Sequence, residues 1–251
     1  MKATPAGINS RLVHGGHHPD ATGSVNVPIY QTSTFAFRDA AHGAALFAGE
    51  EQGYIYTRIS NPTIAALEES VASLENGVGG IATSSGMGAV NTAYMALLGQ
   101  GDHLVSTASV YGPSRGLIEK HYQRFGVEAS FVDTSDLENL RAAMRPNTRL
   151  VYVESPSNPA MQVTDIAGAA AIAHEHDSLF VVDNTFASPY LQRPLDLGAD
   201  VVLHSITKFI NGHADVVGGI LVAKDEGLAA RLRAVMVQTG CNMDPHQAFL
   251  V

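Results

Sequence analysis

Lys208 closes the run Ser205-Ile206-Thr207-Lys208, which follows His204 and the apolar stretch Val201-Val202-Leu203. Two hydroxyls at alternate positions can bind phosphate oxygens, while the amine beside them can form an imine with an aldehyde. Asp183 directly follows Leu179-Phe180-Val181-Val182. A carboxylate leaving a buried strand must be paired, hydrogen-bonded or functional, because an unpaired buried charge is costly. A cationic heterocycle would satisfy it. In Ser84-Ser85-Gly86-Met87-Gly88 a strand turns into a helix on small residues, and a phosphate can approach the backbone N–H groups there closely. Tyr111 stands between LVSTASV and Gly112-Pro113. At such a loop tip its ring can stack on a flat ligand and its hydroxyl can donate a proton.

Each of these features taken alone has a plain structural explanation: a tight turn, a strand-end ion pair or cap, a surface lysine, a packing tyrosine. For the aspartate and the lysine in isolation, that explanation is the better one. Their coincidence points elsewhere. A phosphate cradle, a buried acid one or two strands away and an amine beside two hydroxyls are what pyridoxal 5'-phosphate (PLP) requires. They supply anchors for its phosphate, a partner for its pyridinium nitrogen and an amine for its carbonyl.

The elements that must position these residues alternate along the chain. Ile64, Leu67, Val71 and Leu74 recur at helical spacing between Thr63 and Leu74, with Asn61 as N-cap and Pro62 in the first turn. Strand-like GGIATSS, HLVSTASV, EASFVD, RLVYVES, SLFVVDN, ADVVLHS and DVVGGILVA then follow. Between or after them, helices are expected at Gly88 to Leu98, Ser114 to Arg124, Leu137 to Met144, Asp165 to His174 and Glu226 to Val237. Strands that are apolar without alternation belong to a sheet covered on both faces, and the strand-helix order makes that sheet mainly parallel. Ligands of such sheets bind beyond the carboxyl ends of the strands, where all four features lie. Residues 1–60 show no sustained period and are expected to form an extended arm, with 61–251 as the large domain.

The 251 residues carry 15 Lys+Arg against 24 Asp+Glu, a net charge of -9, and no basic tract that could follow a nucleic acid. The lone cysteine, Cys241, excludes an internal disulfide framework and is expected to be a packing residue rather than a nucleophile. The start MKATPAGINSRLVHGGHH has no apolar signal core, which makes a cytoplasmic location the expectation. Asn76 to Gly101 is long enough to span a bilayer but too rich in glycine and hydroxyl residues to do so. His14, His17 and His18 lack a carboxylate framework, and His174 and His176 point in different directions on one helix. No metal site is expected from either group. Asn61-Pro62-Thr63 fails as a glycosylation sequon because proline occupies its middle.

PIYQTSTFAF, YIYTRISNPT, SSGMGA, SVYGPSR, VYVESPSNP, VVDNTFASPYLQRPLDLGADVV and HSITKFINGHADVVGG, in that order, closely resemble the Cys/Met-metabolism family of fold-type-I PLP enzymes. Its members include methionine gamma-lyases, cystathionine gamma-lyases and gamma-synthases, and O-acylhomoserine sulfhydrylases. The resemblance implies an aspartate-aminotransferase-like three-layer αβα fold. It makes Lys208 the Schiff-base lysine and proton shuttle, and Asp183 the partner of the pyridinium nitrogen. Tyr111 becomes the stacking ring and the acid for the leaving thiolate. Gly86, Met87, Ser205 and Thr207 become phosphate ligands, and Asn158 a neighbour of the phenolic oxygen. Tyr56 and Arg58 match arm residues that bind the phosphate of a neighbouring subunit, which implies an active dimer within a homotetramer.

The segment FAGEEQGYIYTRISNPT resembles methionine gamma-lyases more than synthases, whereas Pro113 stands where those lyases carry a cysteine. Gamma-elimination, gamma-replacement and a non-catalytic PLP-binding fragment therefore all remain open. The last residues, HQAFLV, fall inside a helix, roughly one third short of the family's length. The resemblance puts the smaller C-terminal domain, with the arginine for the substrate carboxylate, beyond residue 251.

Overall fold

In the computed structural model, which describes residues 7–251, the segment before Pro62 carries two helices, α1 (Ile8–His14) and α2 (Ala40–Ala48). The sequence pattern does not announce either. Helix α2 starts where the Asp39 side chain accepts from the amide of His42, and it stops at Gly49 in the left-handed region, φ 72°. Helix α1 lies against α3 (Pro62–Glu75), held there by Arg11, which donates to the carbonyl of Ser73 and to Asn76 Oδ1. As expected, α3 opens on Asn61, whose side chain accepts from Thr63 N, and on Pro62.

Beyond α3 the chain runs β1 (Gly79–Thr83), α4 (Gly86–Leu97), β2 (His103–Thr107), α5 (Gly112–Lys120), β3 (Glu128–Val132), α6 (Leu137–Ala143) and β4 (Thr148–Glu154). It continues through α7 (Ile166–Glu175), β5 (Leu179–Asp183), α8 (Ser188–Leu191), β6 (Val201–His204), β7 (Gly219–Ala223), α9 (Glu226–Thr239) and α10 (Pro245–Leu250). The helix expected from Ser114 to Arg124 is interrupted at His121. A separate 3-10 turn, Tyr122–Phe125, follows and ends on left-handed Gly126. Among the described residues, no helix is long and apolar enough to cross a membrane.

The seven strands form one sheet in the order β1-β7-β6-β5-β4-β2-β3, and β7 alone runs antiparallel to its neighbours. Alternate residues of each strand enter opposite layers, as the period of two demands. In β4, Leu150 and Tyr152 pack with Tyr94 of α4 and with Leu232 and Met236 of α9. Val151 and Val153 pack on the other side with Leu140 of α6 and with Ala169 and Ile172 of α7. Helices α3 and α10 cover the β1–β7 end through Ile64, Leu67, Val71 and Ala248. The result is the mainly parallel three-layer αβα arrangement expected for the fold class. It aligns the carboxyl ends of β4, β5 and β6 beside the N-terminus of α4.

Candidate functional site

A cleft of about 210 Å³ opens at those strand ends, and its lining includes Gly86, Met87, Tyr111, Asn158, Asp183, Ser205, Thr207 and Lys208. Eight of the sequence-derived candidates, from five separate stretches of chain, therefore share one wall. Tyr56 and Arg58 do not join them. They border a different hollow with Gln31, Thr32 and Asp244, where Arg58 stacks over the Tyr56 ring at 5.4 Å and donates to the carbonyl of Val237 at 2.6 Å.

The phosphate-sized end of the cleft is built by α4 meeting the segment after β6. The Ser85 side chain caps α4 by accepting from Gly88 N at 3.0 Å, which leaves the amides of Gly86 and Met87 without a partner inside the helix. Gly86 is required there by space. A β-carbon on it would come within 2.7 Å of Ser205 Cβ and 2.8 Å of Ser205 Oγ. Ser205 is fixed in turn, its amide donating to Thr185 Oγ1 at 2.8 Å. The Thr207 hydroxyl is already engaged with Gly218, accepting from its amide at 3.0 Å and donating to its carbonyl at 3.2 Å. To bind a phosphate, that hydroxyl would turn its single proton from the Gly218 carbonyl to the phosphate oxygen.

Asp183 lies on the strand beside that segment and is 6% exposed. Its described partners are neutral: the amide of Thr185 at 3.1 Å and its hydroxyl at 2.5 Å, and the Tyr152 hydroxyl at 3.2 Å. Burial pushes its carboxyl above the ordinary carboxylate range, and the Thr185 hydrogen bonds oppose the shift. Tyr111 caps α5 with its side chain 43% exposed, so the ring is free of the chain's own core. Lys208 is, among the described residues, the one cationic side chain lining the cleft.

Three residues of the site escaped the sequence reading. Thr185 orients Asp183 and Ser205 together. Tyr152, in the middle of an apolar strand, reaches Asp183. Glu154 ends β4 in register with Asp183 of β5, lines the cleft, and is pushed up to about 8 by burial and then by the Asp183 charge. The signal for Glu154 was present, since it is a carboxylate following an apolar run, the same pattern that singled out Asp183.

The other candidates have ordinary partners. His18 pairs with Glu69 at 2.7 Å, His174 meets Asp200 at 3.1 Å, and His176 meets the Ile172 carbonyl at 2.9 Å. Cys241 packs against the α4 layer, its sulfur 3.3 Å from Thr92 Oγ1.

Over 98% of its length the chain is 47% identical to an L-methionine gamma-lyase of Treponema denticola, covering 62% of that protein. It is 46% identical over 96% of its length to a cystathionine gamma-lyase of Bacillus subtilis, covering 61%. The crystal structure of metB from Corynebacterium glutamicum superposes on 98% of the chain with a TM-score of 0.92 at 43% identity, and 62% of that structure is covered. The chain thus spans a little under two thirds of the length of these relatives. A family model described as "Cys/Met metabolism PLP-dependent enzyme" matches residues 9–251. With the cleft and sheet in agreement, the chain belongs to that family, whose enzymes use pyridoxal 5'-phosphate.

Proposed function

We propose that this chain binds PLP in the Lys208 cleft and takes part in gamma-elimination from a sulfur amino acid, releasing a thiol, a 2-oxo acid and ammonia. The observation that carries this is the convergence on one cleft of Lys208, Asp183, Tyr111 and the Gly86-Met87 turn. The site's own residues fit the cofactor. Asp183 is a buried carboxylate without a described cationic partner, which a protonated ring nitrogen would supply. The first amides of α4 and the Ser205 hydroxyl are donors suited to a phosphate dianion, and the Thr207 hydroxyl joins them by turning its proton away from the Gly218 carbonyl.

When bound, PLP supplies an electron sink for charge developing on the amino-acid carbons. The chain's residues do the rest. Lys208 would hold the cofactor's carbonyl through its Nζ, and the same atom would accept the substrate's alpha proton. The Tyr111 hydroxyl hands a proton to the departing sulfur. Asp183 would keep the ring nitrogen protonated, and Asn158 would lie near the phenolic oxygen.

Tyr56 and Arg58 serve the cleft of a second copy, in an active dimer that pairs again as a tetramer. Their placement in a hollow away from their own cleft supports this. Gamma-replacement is the second reading, favoured by Pro113 in the first turn of α5.

Reconstitution with PLP tests the site. A visible absorbance band that disappears in Lys208→Ala supports it, and its absence from cofactor-supplemented wild-type protein refutes it. Assaying 2-oxobutanoate from methionine, cystathionine and O-acetylhomoserine, with and without sulfide, separates elimination from replacement.

A further inference from the structure

The cleft contains a carboxylate that this chemistry leaves unused. Glu154 is 2% exposed, has no described cation beside it, and lies across the β4–β5 pairing from Asp183. Both burial and the Asp183 charge oppose its ionisation. Its two oxygens serve two different loops. Oε2 accepts from the amide of Tyr111 at 2.5 Å, and Oε1 accepts from the amide of Asn158 at 3.2 Å. The same loops are joined again by Ser109, which donates to Ser157 Oγ at 2.9 Å and contacts Gln162 Oε1 at 2.9 Å. A glutamine of the same shape would be cheaper to bury, but it has one acceptor oxygen where the carboxylate has two. With the amides on different oxygens, a side chain with two acceptor oxygens is needed to hold both in this geometry.

We infer that Glu154 is a positioning residue: by gripping both backbone amides it fixes Tyr111 and Asn158 relative to each other over the cofactor. This rests on the cleft being the PLP site. Acting through Tyr111 and Asn158, Glu154 contributes less to cofactor binding once the Tyr111 ring is removed.

The test is a double-mutant cycle on PLP affinity, using wild type, Glu154→Gln, Tyr111→Ala and the double variant. Circular dichroism of the bound-cofactor band and melting of the cofactor-free proteins accompany it. Glu154→Gln is expected to weaken PLP binding roughly three- to tenfold, the effect of one lost hydrogen bond, and to diminish the dichroic band. The double variant is expected to bind more tightly than the product of the two single losses, because the part of the Glu154 effect that runs through Tyr111 is already lost in Tyr111→Ala. Losses that multiply, or a Glu154→Gln protein with wild-type affinity and dichroism, overturn the positioning role. Should Glu154→Gln fail to fold, Glu154→Asp, which keeps two oxygens but shortens the reach, takes its place in the cycle with the same expectations. A wild-type protein that takes up no PLP overturns instead the assignment of the cleft.

Discussion

Replacing Gly86 by alanine tests the phosphate cradle with a single methyl group. The new carbon would lie 2.7 Å from Ser205 Cβ, 2.8 Å from its Oγ and 3.2 Å from its Cα. Relaxed carbon contacts fall near 3.5 Å, so the gap has to widen by roughly 0.8 Å. Ser205 cannot yield easily, because its amide is bound by Thr185 Oγ1 at 2.8 Å and its carbonyl by the Lys208 amide at 3.1 Å. Helix α4 is tethered too, since the amide of Ser84 donates to the Cys241 carbonyl at 2.6 Å. Overpacking of this kind costs about 1–3 kcal/mol, and each kcal/mol lowers Tm by roughly 2–4 °C in a chain of this size. Displacing one amide from a bound phosphate costs about 1.5–3 kcal/mol more, which weakens PLP binding by roughly 10- to 100-fold. Titration with PLP and thermal melting of the cofactor-free protein measure the two effects separately. Gly88→Ala is the control. Its added carbon has Ser85 Oγ at 3.4 Å, Thr83 Cβ at 3.5 Å and Cys241 Cβ at 3.6 Å as nearest neighbours, so stability should hold or rise and binding should stay unchanged. Wild-type PLP affinity in Gly86→Ala, or an equal loss in Gly88→Ala, would refute the cradle.

Three further outcomes follow from the same geometry. Asp183→Asn should reduce PLP affinity at least about tenfold while leaving the cofactor-free Tm unchanged or raised, because burial penalises the charge it removes; a large fall in Tm would contradict this. Two buried groups should tilt cofactor-free stability in opposite directions with pH. His103 lies between the hydroxyls of Thr148 and Ser130 and is pushed down to about 4, first by burial and then by the Arg145 charge. Its contribution is complete above about 6.5 and is lost as pH falls towards 4. Glu154, pushed up to about 8, contributes fully below about 4.5 and progressively less as pH rises towards 8. In urea melts, His103→Gln should flatten only the acid limb and Glu154→Gln only the alkaline limb, and the opposite assignment would show the shifts to be misread. Asp200→Ala should cost about 1–3 kcal/mol, since it strands the Phe180 amide that donates to Asp200 at 2.6 Å; Asp200→Asn, which keeps an acceptor, should cost less in the same denaturant titration.

Much of the architecture was legible in the chain because each signal was local. Apolar runs that do not alternate mark strands covered on both faces, and Asn61-Pro62 before a periodic stretch marks a helix start. The first two helices were not legible. Helix α1 has no buried residue, and α2 buries only Gly43 and Leu46, too little to impose a period. At the site, the chemistry of Lys208, Asp183 and the Gly86 turn could be argued from residue types at strand ends, since the direction of a parallel sheet sends those ends to one side.

Partnership was decided by tertiary structure. Glu154 and Asp183 are distant in sequence and meet only because β4 and β5 pair in that register. Thr185 joins Asp183 to Ser205 only because β5 and β6 are neighbours. Gly86 must lack a side chain because the start of α4 is pressed against Ser205. Residue types and their order along the chain determined the set of groups able to bind a phosphate, a ring nitrogen and a carbonyl. The distances that make them one site, and the carboxylate holding two of its loops, came from strand order and register, which depend on contacts between residues far apart in the chain.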